Sequence, residues 1–191
     1  MKIFLDCSDV DLIKHGFESG LVDGVTTNPS LMLKAGKEPM EVLKEISEIF
    51  PFHSSISAEV VGDTVDSMLE EAEQYLQIGP NITIKVPCTR TGLKACLELS
   101  KMDVAVNVTL IFSAAQAILA SKAGATYVSP FIGRVNDQYW DGISLVEEIS
   151  DVFSTHGSKT EVLAASIREP IQVAKCFRVG ADICTLPWDI F

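Results

Sequence analysis

Three side chains in this sequence could act together on a carbonyl group: Lys85, Asp6 and Glu59. A lysine amine kept from water binds its proton less tightly and can attack a carbonyl carbon to form a Schiff base. Neighbouring carboxylates can carry the protons that such a reaction adds and removes. Asn28, Asn107 and Thr109 suit the neutral hydroxyls of a polyol. Arg134 and Arg168 follow two strand-like runs, close to Ser129 and Ser166. Two guanidinium groups with two hydroxyls can clamp a phosphate. Each residue also has a plainer use: Lys85 can snorkel to solvent, the carboxylates can simply pair with it, the amides can satisfy buried neighbours, and the arginines can make surface ion pairs. Taken together, the set suits a phosphorylated sugar, held by its phosphate at one end and presenting its carbonyl to Lys85.

Such residues need a frame that brings distant positions together. Strand-like runs fall at Lys2–Asp6, Gly24–Asn28, Ser54–Val60, Ile82–Pro87, Val104–Thr109, Thr126–Phe131, Glu161–Ser166 and Asp182–Leu186. Helical periodicity fills the intervals at Val10–Ser19, Pro39–Ile49, Thr64–Gln77, Thr91–Ser100, Ser113–Lys122, Ile143–Phe153 and Pro170–Val179. Pro39 and Pro170 suit a first helical turn, Asp63 and Ser113 suit N-caps, and Gly124 and Gly180 suit helix ends. Alternating strands and helices predict an α/β fold, either doubly wound or a (β/α)8 TIM barrel. The first strand is followed by Asp6-Cys7-Ser8-Asp9, which lacks the glycines of a dinucleotide-binding turn and weakens the doubly wound reading.

Strand parity favours the barrel. In the third strand Ile56, Ala58 and Val60 oppose Ser55, Ser57 and Glu59. In the fourth Ile82, Ile84 and Val86 oppose Asn81, Thr83 and Lys85, and in the fifth Val104, Val106 and Val108 oppose Ala105, Asn107 and Thr109. Helices cover apolar faces, so the polar faces point inward. The same rule groups Phe4 with Asp6, Thr26 with Asn28, Ser129 with Phe131, and Ser166 with Arg168. Seven of the eight strands then carry a polar residue to the C-terminal end of the inward face, where barrel enzymes place their active sites.

The 191 residues suffice for one barrel domain over 1–191. A net charge of −11 disfavours nucleic acid and anionic membrane surfaces as partners. No apolar run is long enough to cross a bilayer, and the N-terminus does not read as a signal peptide. Five cysteines without a C-x-x-C spacing argue against a disulfide framework or a zinc site, and for reduced thiols in a cytoplasmic setting. Cys7 and Cys88 lie near strand ends but read best as small buried hydrophobes. His15, His53 and His156 have no metal-ligand spacing.

Six segments resemble the transaldolase family, in the small branch that includes fructose-6-phosphate aldolase. They are Phe4-Leu5-Asp6, Gly24-Val25-Thr26-Thr27-Asn28-Pro29-Ser30, Ile84-Lys85-Val86-Pro87, Asn107-Val108-Thr109-Leu110, Ser129-Pro130-Phe131-Ile132-Gly133-Arg134 and Ala164-Ala165-Ser166-Ile167-Arg168. The resemblance implies a class I aldolase-type barrel that passes a dihydroxyacetone unit from a ketose phosphate to an aldose phosphate. Lys85 forms the Schiff base, Asp6 is the acid/base, and Glu59 and Thr109 hold a water that relays protons. Asn28 and Asn107 orient the donor, and Thr26 and Phe131 shape the pocket. Arg134, Ser166 and Arg168, with Ser129, take the phosphate. No cofactor or metal is implied.

The aldolase members of the branch have glutamine at the position of Glu59 and tyrosine at that of Phe131, so this chain resembles the transferring members. The resemblance also implies a cytoplasmic homo-oligomer, a pentamer or decamer, serving the pentose phosphate pathway. Family members continue for a C-terminal helix after the eighth strand. This chain stops at Phe191, so Trp188 and Phe191 are expected to be exposed unless a partner covers them.

Overall fold

The computed structural model describes residues 1–191, apart from the side chain of Ala35. Eight parallel strands close into a barrel in chain order: β1 (Lys2–Asp6), β2 (Gly24–Thr26), β3 (Ser55–Glu59), β4 (Ile82–Pro87), β5 (Val106–Ile111), β6 (Tyr127–Pro130), β7 (Glu161–Ala164) and β8 (Ile183–Leu186). β1 pairs with both β2 and β8, so no edge strand is left. The predicted barrel is therefore the observed fold. Helices α1 (Val10–Glu18), α2 (Pro29–Ala35), α3 (Pro39–Ile49), α4 (Val65–Leu76), α5 (Arg90–Lys101), α6 (Ala114–Lys122), α7 (Ile132–Asn136), α8 (Gly142–His156) and α9 (Pro170–Arg178) lie between the strands. Among the described residues, no helix is long and apolar enough to cross a membrane.

The helix boundaries follow local chemistry. Asp9 accepts from the Asp11 and Leu12 amides at the start of α1, and Ser113 accepts from Gln116 at the start of α6. Pro29, Pro39 and Pro170 open α2, α3 and α9. Gly124 and Gly180 follow α6 and α9 with φ of +89° and +97°. One expected cap is corrected: Thr64, not Asp63, caps α4, because its hydroxyl accepts from the Ser67 amide in a reciprocal capping box. Two short helices, α2 and α7, were not expected. Both begin within three residues of a strand end.

The outward strand faces and the helices share one apolar layer, including Leu5, Val25, Ile56, Ile84, Val86, Val106, Val108, Val128 and Val162. Inside the barrel a second, smaller cluster joins Phe4, Tyr127, Leu163, Ala165 and Ile183. The barrel interior is thus divided. The β6–β8 side is mostly apolar, whereas the β2–β5 side carries hydroxyls and amides, with Ser55 and Thr83 hydrogen-bonded at 2.8 Å. Gly24 allows the lower layer to close. A Cβ there would lie 2.5 Å from the Ser55 carbonyl oxygen and 2.8 Å from the Phe4 ring.

Parity needs two corrections. Asn81 does not enter the barrel; its amide group accepts from Ser47 and donates to the Ser47 and Phe50 carbonyls at the end of α3. In β7 the inward residues are Leu163 and Ala165, while Val162 and Ala164 join the outer layer. Ser166 and Arg168 are therefore not part of the inward alternation. The chain tail also differs from expectation. Trp188 is half-buried, edge-on to His15 at 5.8 Å and tilted against Phe191 at 5.7 Å, and only Phe191 is exposed.

Candidate active site

The strand ends surround a cavity of about 480 Å³ at the C-terminal mouth of the barrel. Of the residues singled out from the sequence, Asp6, Thr26, Asn28, Glu59, Lys85, Asn107, Thr109, Ser129, Phe131, Arg134 and Ser166 line it. They come from β1 to β7 and the loops that follow, so only a closed barrel could gather them.

Strand register explains the closest contacts. Glu59 is paired with Lys85 across β3 and β4, and Lys85 with Asn107 across β4 and β5. Lys85 is 5% exposed. Its Nζ donates to the Thr27 carbonyl at 2.8 Å and lies 3.1 Å from Glu59 Oε2. The lysine does not snorkel to solvent. Asp6 is paired with Thr26 across β1 and β2, and the Thr26 hydroxyl donates to Asp6 Oδ1 at 2.8 Å. Burial raises the Asp6 carboxyl above its ordinary range, against the pull of the Lys85 charge and the Thr26 hydrogen bond. A raised carboxyl facing an amine in a cleft suits proton transfer.

The amides are oriented by their own bonds. Asn28, expected at the end of the second strand, is instead the N-cap of α2. Its Oδ1 accepts from Leu31 at 3.0 Å, which leaves the NH2 group for another acceptor. Asn107 is fully buried; it accepts from Ser129 at 2.7 Å and donates to Ser57 at 3.2 Å. Between Val108 and Ile111 the register of β5 with β6 shifts, and Leu110 adopts φ +60°. This irregularity brings Thr109 and Leu110 both to the cavity. The Thr109 hydroxyl is buried and has no hydrogen-bond partner in the protein. Such groups are rare and commonly serve a ligand or a bound water.

The expected phosphate clamp is only partly assembled. Arg134 lines the cavity from α7, with its guanidinium 5.6 Å from the centre of the Phe131 ring. Ser166 reaches the cavity through a left-handed backbone, φ +59°, which re-aims the chain after β7. Arg168 does not line the cavity. Its guanidinium is engaged in a two-pronged pair with Asp137, with Nη2 to Oδ2 at 2.7 Å. That partner was not expected from the sequence.

Thr185 was missed as well. It lies on β8, lines the cavity, and its hydroxyl is 2.6 Å from that of Thr26. The alternation of Ile183 and Thr185 against Cys184 and Leu186 carries the signal that could have found it. Cys7 is buried as expected, whereas Cys88 is only half-buried; partial burial still pushes both thiols up, away from thiolate chemistry. Among the described residues, no three His, Cys, Asp or Glu side chains cluster as a metal site.

The closed sheet and its flanking helices define a (β/α)8-barrel protein with a polar cavity at its strand ends. A solved structure of 3-hexulose-6-phosphate synthase has the same fold, with a TM-score of 0.72 over 98% of this chain and 90% of that one, at 16% identity. The model of the transaldolase/fructose-6-phosphate aldolase family matches residues 3–191, and the chain belongs to that family. It is 50% identical to a probable transaldolase of Methanococcus vannielii over 190 residues, covering 100% of this chain and 87% of the relative. Probable transaldolases of Geobacter metallireducens and Clostridium tetani are also 50% identical, each with 88% of the relative covered.

Proposed function

We propose that the protein is a transaldolase that works through a Schiff base on Lys85. The observation that carries this reading is the buried amine, 3.1 Å from Glu59 and facing the same cavity as Asp6. The donor is a ketose phosphate, fructose 6-phosphate or sedoheptulose 7-phosphate. The acceptor is an aldose phosphate, erythrose 4-phosphate or glyceraldehyde 3-phosphate.

The amine adds to the donor carbonyl and loses water, giving an iminium. Asp6 takes the proton of the sugar hydroxyl next to the breaking bond. The carbon–carbon electron pair moves into the iminium, leaving a dihydroxyacetone enamine and a free aldose phosphate. The enamine then attacks the acceptor aldehyde, the proton returns, and hydrolysis frees Lys85. Glu59 and the otherwise unpartnered Thr109 hydroxyl hold the relay water, and Asn28 and Asn107 orient the donor. Arg134, Ser129 and Ser166 receive the phosphate; Arg168 joins them by exchanging Asp137 for it. The same reading places the enzyme in the cytoplasm and the pentose phosphate pathway, as a homo-oligomer.

Phe131 and Glu59 favour transfer over release of free dihydroxyacetone. Phe131 stands at the mouth beside Phe112 and offers no hydroxyl to protonate the waiting enamine. A coupled assay with and without erythrose 4-phosphate tests this. Fructose 6-phosphate should be consumed in the acceptor's presence and hardly at all without it. Phe131→Tyr should raise cleavage without acceptor relative to transfer. Equal consumption in both arms would identify an aldolase, and none in either would leave a binding protein.

A further inference from the structure

We propose that Thr185 is a positioning residue that fixes, through Thr26, which oxygen of Asp6 carries the proton. The inference rests on the catalytic reading of Asp6 given above. Thr185 and Thr26 lie on opposite sides of β1, on β8 and β2, and both line the cavity with Asp6. Both are almost fully buried, at 3% and 2% exposure, so neither hydroxyl can turn freely to water.

Proton counting orders the chain. Each hydroxyl has one hydrogen to donate. Thr26 gives its hydrogen to Asp6 Oδ1 at 2.8 Å. The 2.6 Å contact between the two hydroxyls must then use the Thr185 hydrogen, donated to Thr26. The direction Thr185 to Thr26 to Asp6 is therefore set. Oδ1 is held as an acceptor, and the proton that Asp6 gains and loses belongs on Oδ2.

Other charged groups lie around the same cavity, and of these the Lys85 charge favours the carboxylate form of Asp6. They are Lys85 on β4 and Glu59 on β3, with Lys34 of α2 and Arg134 of α7. Cys7 follows Asp6 directly after the end of β1. None of these fixes the direction of the Thr26 hydrogen. Without Thr185, the Thr26 hydroxyl loses the donor that polarises it, and its hydrogen bond to Oδ1 weakens. The carboxylate form of Asp6 is then less favoured, and the acid limb of the reaction moves to higher pH.

The test compares wild type with Thr185→Val and Thr185→Ser, with Thr185→Ala in place of the valine variant if that one fails to fold. The pH profile of kcat/KM is measured with fructose 6-phosphate and erythrose 4-phosphate, alongside borohydride trapping. Thr185→Val should show the acid limb at higher pH, kcat lower by roughly fivefold on that limb, an unchanged donor KM, and a normal adduct. Thr185→Ser should restore the wild-type profile. A valine or alanine variant with a normal adduct and an unmoved acid limb overturns the inference while leaving the catalytic reading intact. A wild type that forms no adduct overturns both.

Discussion

Asp6 is a carboxyl that the fold disfavours in its charged form. Its folded-state value lies above the unfolded one because burial outweighs the Lys85 charge and the Thr26 hydrogen bond. Between those two values the folded state binds more protons, so stability falls as pH rises through that window, and the full cost persists above it. Asp6→Asn removes the charge and can still accept from Thr26. Its thermal midpoint at neutral pH should rise by a few degrees, with the gain vanishing toward acid pH, while transfer activity is lost. Melting curves across pH, paired with activity, check both halves. Residue types near the cavity were largely legible in the sequence, because a lysine, two carboxylates and two asparagines at strand ends are unusual for packing. Partners were less so. The Asp137 side chain that occupies Arg168 is 31 positions away on the surface, and nothing in local pattern announces it.

Strands and most helices could be read from period and punctuation. The alternation in β3, β4 and β5 correctly placed Glu59, Lys85, Asn107 and Thr109 inward, since helices cover one face of these strands and reward apolar residues there. It failed in β7, where Val162 to Ser166 has no polar alternation and a left-handed residue re-aims the chain. It also failed to see α2 and α7, of seven and five residues, too short for a helical period to show. Asn28 was legible as a site residue but not as the cap of α2, a second duty that fixes its amide. At this scale Gly24 is the sharpest test. Its missing side chain admits the Phe4 ring to the barrel floor. Gly24→Ala should lower stability by about 1–3 kcal/mol, read as a lower denaturant midpoint with little change in slope. An unchanged midpoint would mean that the floor repacks freely.

The molecule as a whole is strongly acidic, yet the proposed substrates are anions. A net charge of −11 repels a sugar phosphate at long range. The mouth answers locally with Arg134, Lys34 and Lys85 around one cavity. Closure of eight strands makes this possible, because groups separated by up to about the chain's length in sequence converge on one rim. The family resemblance and the barrel were both legible before the fold was known. The division of the interior into an apolar side and a polar side was not, since it depends on which strands end up opposite one another. The central claim is that Lys85 becomes covalently attached to the donor. It is tested most directly by borohydride reduction in the presence of fructose 6-phosphate, followed by intact-mass measurement and peptide mapping. The account predicts one adduct per chain, on the peptide carrying Lys85, and none in Lys85→Met. A folded wild-type protein that gains no mass, or gains it on another lysine, would contradict it.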